Sequence, residues 1–118
     1  MVEFCARIVI LKQKMENSSK QIFVIDLDGT ICTSEKDYSK CKPIKHRIEQ
    51  LNELYDRGHT IIIDTARGSK TGIDHTKLIE FQLSRWGVKY HKMRCGVKFF
   101  GTHYVDDRGI NDKEFFND

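Results

Sequence analysis

Two runs set the pattern of the chain. Ile22-Phe23-Val24-Ile25 and Thr60-Ile61-Ile62-Ile63 are short, continuously apolar and rich in β-branched residues. Such runs read as strands buried on both faces of a parallel sheet. Between them Ile44, Ile48, Leu51 and Tyr55 recur at helical spacing, with Pro43 where a helix starts and Gly58 where it stops. A second helix is predicted over Ile73 to Trp86, carrying Leu78, Ile79, Phe81, Leu83 and Trp86, with Gly87 as its cap. Val88 to Met93 reads as a third strand, His103-Tyr104-Val105 as a fourth, and Asn111 to Phe116 as a short helical turn. Ile31 to Cys41 is polar and hairpin-like. The alternation predicts an α/β fold around a mainly parallel sheet.

Upstream, Phe4 to Leu11 is apolar enough for an extra strand, and Lys12 to Gln21 reads as a loop. The compact domain is therefore expected over residues 21–118, with residues 1–20 as an N-terminal extension. Met15 lies in that loop, which leaves two readings of residues 1–14: an appendage, or sequence ahead of the true start.

Composition narrows the picture little. The chain has 118 residues, 39% hydrophobic and 31% charged, which suits one globular domain. No apolar run approaches the ~20 residues of a membrane span, and Glu3 and Arg7 interrupt the only apolar N-terminal stretch. A cytoplasmic location and no membrane partner are expected. The net charge of +3 suits small anionic ligands and does not call for nucleic acid. Cys5, Cys32, Cys41 and Cys95 form no metal-binding spacing and are expected to be reduced thiols. The five histidines likewise show no metal spacing.

The chemistry gathers at strand ends. The first predicted strand runs into Asp26-Leu27-Asp28-Gly29-Thr30, the second into Asp64-Thr65-Ala66-Arg67-Gly68, and the fourth into Asp106-Asp107. In open α/β sheets ligands bind beyond the carboxyl ends of the strands, so these stretches are expected to meet although each lies about 40 residues from the next. Carboxylates so gathered suit a hard divalent cation, Mg²⁺ before zinc, completed by phosphate oxygens. Lys98 offers a second positive charge. Thr65 and the amides of its Gly-containing loop offer donors for phosphate. These parts fit phosphoryl transfer, where positioning and charge neutralisation dominate.

The segment Asp26-Leu27-Asp28-Gly29-Thr30 resembles the first motif of the haloacid dehalogenase-like (HAD) superfamily of Mg²⁺-dependent phosphohydrolases. Thr65, Lys98 and Asp106-Asp107 resemble its later motifs in order and spacing, over roughly residues 21–117. Thr65-Ala66-Arg67, Trp86-Gly87-Val88 and Asp106-Asp107-Arg108 are closer still to small members linked to capsule and sugar biosynthesis. Val97-Lys98-Phe99 departs from the Gly-Lys-Pro usual in those relatives.

The resemblance implies a three-layer Rossmann-like fold with minimal or no cap. It implies Asp26 as nucleophile forming an aspartyl-phosphate, Asp28 as general acid and base, and Lys98 as the third catalytic group. Gly29, Thr30, Thr65, Ala66 and Arg67 are implied around the phosphate or its leaving group. Asp26, the backbone carbonyl of Asp28 and Asp107 are implied as Mg²⁺ ligands, with Asp106 pairing Lys98 or holding a metal-bound water. The expected substrate is a small phosphorylated metabolite such as a sugar phosphate. An open, capless site suits a large substrate or a cover from a second copy, as in a homo-oligomer.

Two other readings compete. A receiver-like phospho-acceptor uses similar residues, but its acidic pair comes first in the chain and its phosphorylated aspartate later. A degenerate HAD domain would bind sugar phosphates without turnover.

Overall fold

The computed structural model describes residues 19–118, so the strand expected at Phe4 to Leu11 lies outside the described residues. Strands β1 (Ile22–Ile25), β2 (Thr60–Thr65) and β3 (Lys92–Cys95) form a parallel sheet in the order β1-β2-β3. Phe23 lies opposite Ile61, Ile25 opposite Ile63, Ile63 opposite Met93 and Thr65 opposite Cys95. Side chains alternate along a strand, so this register puts these residues on one face. Helices α1 (Lys45–Asp56), α2 (Thr76–Arg85) and α3 (Asp112–Phe116) complete the described elements, with a 3₁₀ turn at Tyr38–Lys40.

A single core unites them. Ile48, Leu51 and Leu54 of α1, Ile79 and Leu83 of α2, and Phe115 and Phe116 of α3 are buried with Ile25, Ile61 and Ile63. His59 ties the strand starts together: its Nδ1 accepts the Gln21 amide at 3.0 Å.

Several expectations are corrected. β1 is not buried on both faces: Ile22 is 68% and Val24 61% exposed, because the described helices cover only the Phe23–Ile25 side. The third strand runs over Lys92–Cys95, not Val88 to Met93. Val88 drops into the core straight after α2, and pairing begins only at His91, whose amide donates to the Ile61 carbonyl at 2.8 Å. Helix α2 starts at Thr76, where the Asp74 carboxylate accepts the Thr76 amide at 2.9 Å. Phe81 faces out of it, 59% exposed.

The fourth strand does not form. Residues 103–105 are irregular, and Val105 is 96% exposed. The segment satisfies its polar groups locally instead: the Tyr104 hydroxyl donates to the Phe99 carbonyl at 2.9 Å and accepts the Gly101 amide at 3.0 Å. Between β1 and α1 the chain holds turns, the 3₁₀ turn and isolated bridges of Cys32 with Asp28 and Pro43.

Candidate active site

The end of β1 is built by one carbonyl. The amides of Thr30, Ile31 and Cys32 all turn back to the Leu27 oxygen, at 3.1, 3.0 and 3.4 Å. Gly29 sits in this turn at φ +78°, a left-handed conformation that other residues rarely adopt. The tight turn brings the Thr30 hydroxyl over the strand end, where it donates to Asp26 Oδ2 at 3.3 Å.

The other Asp26 oxygen faces Lys98, whose Nζ lies 3.5 Å from Oδ1. Lys98 arrives on the loop after β3. That loop is fixed by the Ser69 hydroxyl, which donates to the Lys98 carbonyl, and Lys98 Nζ also lies 4.7 Å from the centre of the Tyr104 ring. The Asp26 side chain is 43% exposed. Partial loss of water raises its pKa above the ordinary carboxylate value, and the Lys98 charge opposes that rise.

Asp28 faces a different cation. Arg67 Nε and Nη2 fork its carboxylate at 2.9 and 2.7 Å. The Arg67 side chain is fully buried. Its Nη1 donates to Gln82 Oε1 at 2.7 Å, and its guanidinium carbon lies 4.5 Å from the centre of the Tyr38 ring. Gln82 in turn donates to the Tyr38 carbonyl at 2.7 Å. Arg67 therefore does not reach outward to a phosphate; it anchors Asp28. Thr65 is buried at the end of β2, and its Oγ1 accepts the Arg67 amide at 3.3 Å. Ala66 is half-buried in the same turn, its carbonyl accepting the Ser69 amide at 2.9 Å. Both shape the turn that presents Arg67.

The first two strand ends thus converge as expected, joined by the Asp28–Arg67 pair. The third lies in an irregular segment. Asp106 accepts the Arg108 amide at 2.7 Å and the Gly109 amide, which holds it in its own turn. Asp106 and Asp107 are both exposed. Among the described residues no three of Asp26, Asp28, Asp106 and Asp107 bring their carboxylate oxygens within 4.8 Å of one another. The four carboxylate groups are therefore not clustered side by side, and the segment that carries Asp106 and Asp107 is not a strand. Asp28 already has its charge neutralised by Arg67. The donors suit Mg²⁺ in chemistry: Asp26, the backbone carbonyl of Asp28 and Asp107 would hold it, and it would offset the charge of a phosphate. The group that does converge is Asp28, Cys32 and Cys41, with Arg67 already beside it as the cation.

Sequence reasoning missed four supporting residues. Arg47 is buried and donates to the Thr30 carbonyl at 2.9 Å. It also grips Asp112 of α3 and both oxygens of Asp118, tying the C-terminal helix to the β1 turn. Its position three residues after Ile44 and next to Ile48 was a usable signal, since it places a charge on the apolar face. Gln82, three residues after Ile79, gave the same signal. Tyr38 and Ser69 gave none, because their roles depend on where two loops come to rest.

Comparison with known proteins fits this geometry. The family model for haloacid dehalogenase-like hydrolases matches residues 23–88. The match takes in Asp26, Asp28, Thr30, Thr65 and Arg67 and stops short of Lys98, Asp106 and Asp107. A protein from Vibrio cholerae known from its crystal structure superposes with a TM-score of 0.75 at 30% sequence identity, over 82% of this chain and 88% of its own. No curated protein matches the chain. Together with the parallel sheet and the Asp-x-Asp-Gly-Thr turn at the end of β1, the match shows that the chain belongs to the haloacid dehalogenase-like hydrolases.

Proposed function

We propose that the chain is a phosphomonoesterase that acts through an aspartyl-phosphate on Asp26. The carrying observation is the setting of that carboxylate: open to solvent at a strand end, with Lys98 3.5 Å from one oxygen and the Thr30 hydroxyl 3.3 Å from the other. Asp26 attacks phosphorus as the nucleophile. Lys98 supplies the positive charge that a carboxylate needs to approach a phosphate dianion. Asp28 gives its proton to the leaving oxygen, then activates water against the acyl phosphate, and Arg67 fixes its direction.

The likeness to small members linked to sugar biosynthesis supports a phosphorylated metabolite such as a sugar phosphate, and the open site leaves room for a large one or for a cover from a second copy. No cap lies between β1 and α1, and Asp26 is open. The Tyr104 ring stands beside Lys98 at the site. The family's Mg²⁺ dependence belongs to the same reading and is tested with it.

One observation favours a second reading. Asp28 is already forked by a buried arginine and the acidic pair stands apart, as in a domain that binds phosphates or holds a phosphoryl group without turnover. Hydrolysis of p-nitrophenyl phosphate, with Mg²⁺ and with chelator, separates the two. Continuous phosphate release that is lost in Asp26→Asn supports the enzyme. A single stoichiometric burst, or none, supports the binder.

A further inference from the structure

Cys32 and Cys41 take no part in the proposed reaction, yet both are buried against its acid–base residue. Cys32 Sγ lies 3.6 Å and Cys41 Sγ 3.5 Å from the same oxygen of Asp28. Arg67 Nη2 lies 4.0 and 3.5 Å from the two sulfurs. The sulfurs are within 4.8 Å of one another. Local pairing explains this. Cys32 bridges antiparallel to Pro43, and the Thr33 amide donates to the Lys42 carbonyl at 2.8 Å. Cys41, two residues before Pro43, is therefore the diagonal neighbour of Cys32 on one face.

We propose that Cys32 and Cys41 form an oxidisable dithiol that closes to a disulfide when a hydroperoxide reaches it, withdrawing both thiols from Asp28. Cys41 is the entry point: it is 7% exposed, Cys32 is 0%, and its neighbours Ser39, Lys40 and Lys42 are exposed. As Cys41 reacts, its S–H proton ends on the departing water or alcohol, and the guanidinium of Arg67 faces the sulfur. The sulfur attacks the peroxide oxygen, the O–O bond breaks, and a sulfenic acid and water or alcohol result. Cys32 then attacks that sulfur and expels water. Two thiols are oxidised and one peroxide is reduced. Both thiols are buried, so the pair stays reduced until an oxidant gains access past the 33–40 loop. Closure to the ~2.05 Å of an S–S bond draws that loop inward, and with it Tyr38, which stacks on Arg67.

The test treats the reduced full-length chain with hydrogen peroxide, blocks free thiols with iodoacetamide and maps unreduced tryptic peptides. Trypsin cuts after Lys36 and Lys40, so the bond joins two separate peptides. The expected result is a Cys32–Cys41 linkage lighter by two hydrogens, reversed by thiol reductant and absent in Cys41→Ser. This readout does not depend on the phosphatase reading. Under that reading turnover also falls, by roughly tenfold or more once Asp28 is disturbed, and returns on reduction. Free Cys32 and Cys41 under peroxide that oxidises a small dithiol would overturn the proposal, as would linkage to Cys5 or Cys95. A linkage formed with turnover undiminished would overturn the coupling to Asp28.

Discussion

Replacing Arg67 by glutamine perturbs the most deeply buried part of the site. The variant loses both arms of the fork on Asp28, the bond to Gln82 and the stacking on Tyr38. Removing one partner of a buried ion pair costs about 3–5 kcal/mol, because the other charge stays behind unpaired. The Asp28 side chain keeps 20% of its surface in water, which favours the lower end, about 3 kcal/mol. For a domain of this size that is a fall of roughly 12–24 °C in Tm. Thermal unfolding followed by circular dichroism measures it, with Asp28→Asn and the double variant completing a cycle. The double variant should be more stable than the sum of the single losses by about 2 kcal/mol, since neither charge is then stranded. Strictly additive losses, or a drop in Tm below about 4 °C for Arg67→Gln, would refute the view that Arg67 works by holding Asp28. Kinetics give a second check. A phosphate-contacting arginine shows its loss mainly in KM and in inhibition by inorganic phosphate, whereas a positioning arginine shows it in kcat.

Other perturbations separate stability from activity. Asp26→Asn should abolish turnover yet stabilise the fold at neutral pH. The raised Asp26 pKa means the native state holds its proton more tightly, so stability is lost as pH rises above the ordinary value of 3.8; a Tm for the variant no higher than wild type would contradict this. Lys98→Ala should lower kcat on p-nitrophenyl phosphate by about 10²-fold or more, as for loss of one electrostatic donor, with little change in Tm; an unchanged kcat would remove Lys98 from the site. The pull of Arg47 and His46 holds Asp118 well below the usual carboxylate range. Its contribution is present above 3.8 and is lost as pH falls below that value, so Arg47→Met should flatten acid destabilisation measured by urea unfolding. Gly68→Ala should cost more than about 2 kcal/mol, because Gly68 has φ +87° and a Cβ there would lie 2.2 Å from the Ile73 carbonyl oxygen.

What the chain revealed in advance, and what it hid, follows from the range of the interactions. β1, β2 and α1 were legible because apolar runs and helical spacing are local, and the Asp-x-Asp-Gly-Thr turn is encoded within five residues. The meeting of the first two strand ends was legible too, since parallel pairing forces their carboxyl ends to one edge. The partners of the side chain that joins them are not legible locally. Arg67 looked like a ligand for phosphate because it follows a strand-end threonine, and only the positions of Gln82 and Tyr38, on a distant helix and loop, turn it inward. The fourth strand failed for a related reason. His103-Tyr104-Val105 has strand character, but three residues pair only if an edge receives them before the Tyr104 hydroxyl closes its own loop onto Phe99 and Gly101. The same loop bears on the metal. Ile22 and Val24 leave one face of β1 exposed, and Asp106 and Asp107 sit on the segment that did not reach the sheet. The reach from Asp107 to Asp26 is therefore set by the fold of residues 99–109. Tyr104→Phe, which removes the hydroxyl closing that loop, should change Mg²⁺ affinity without touching any carboxylate. Identical Mg²⁺ binding in the two proteins, measured by calorimetry, would show that the local loop does not hold the acidic pair away.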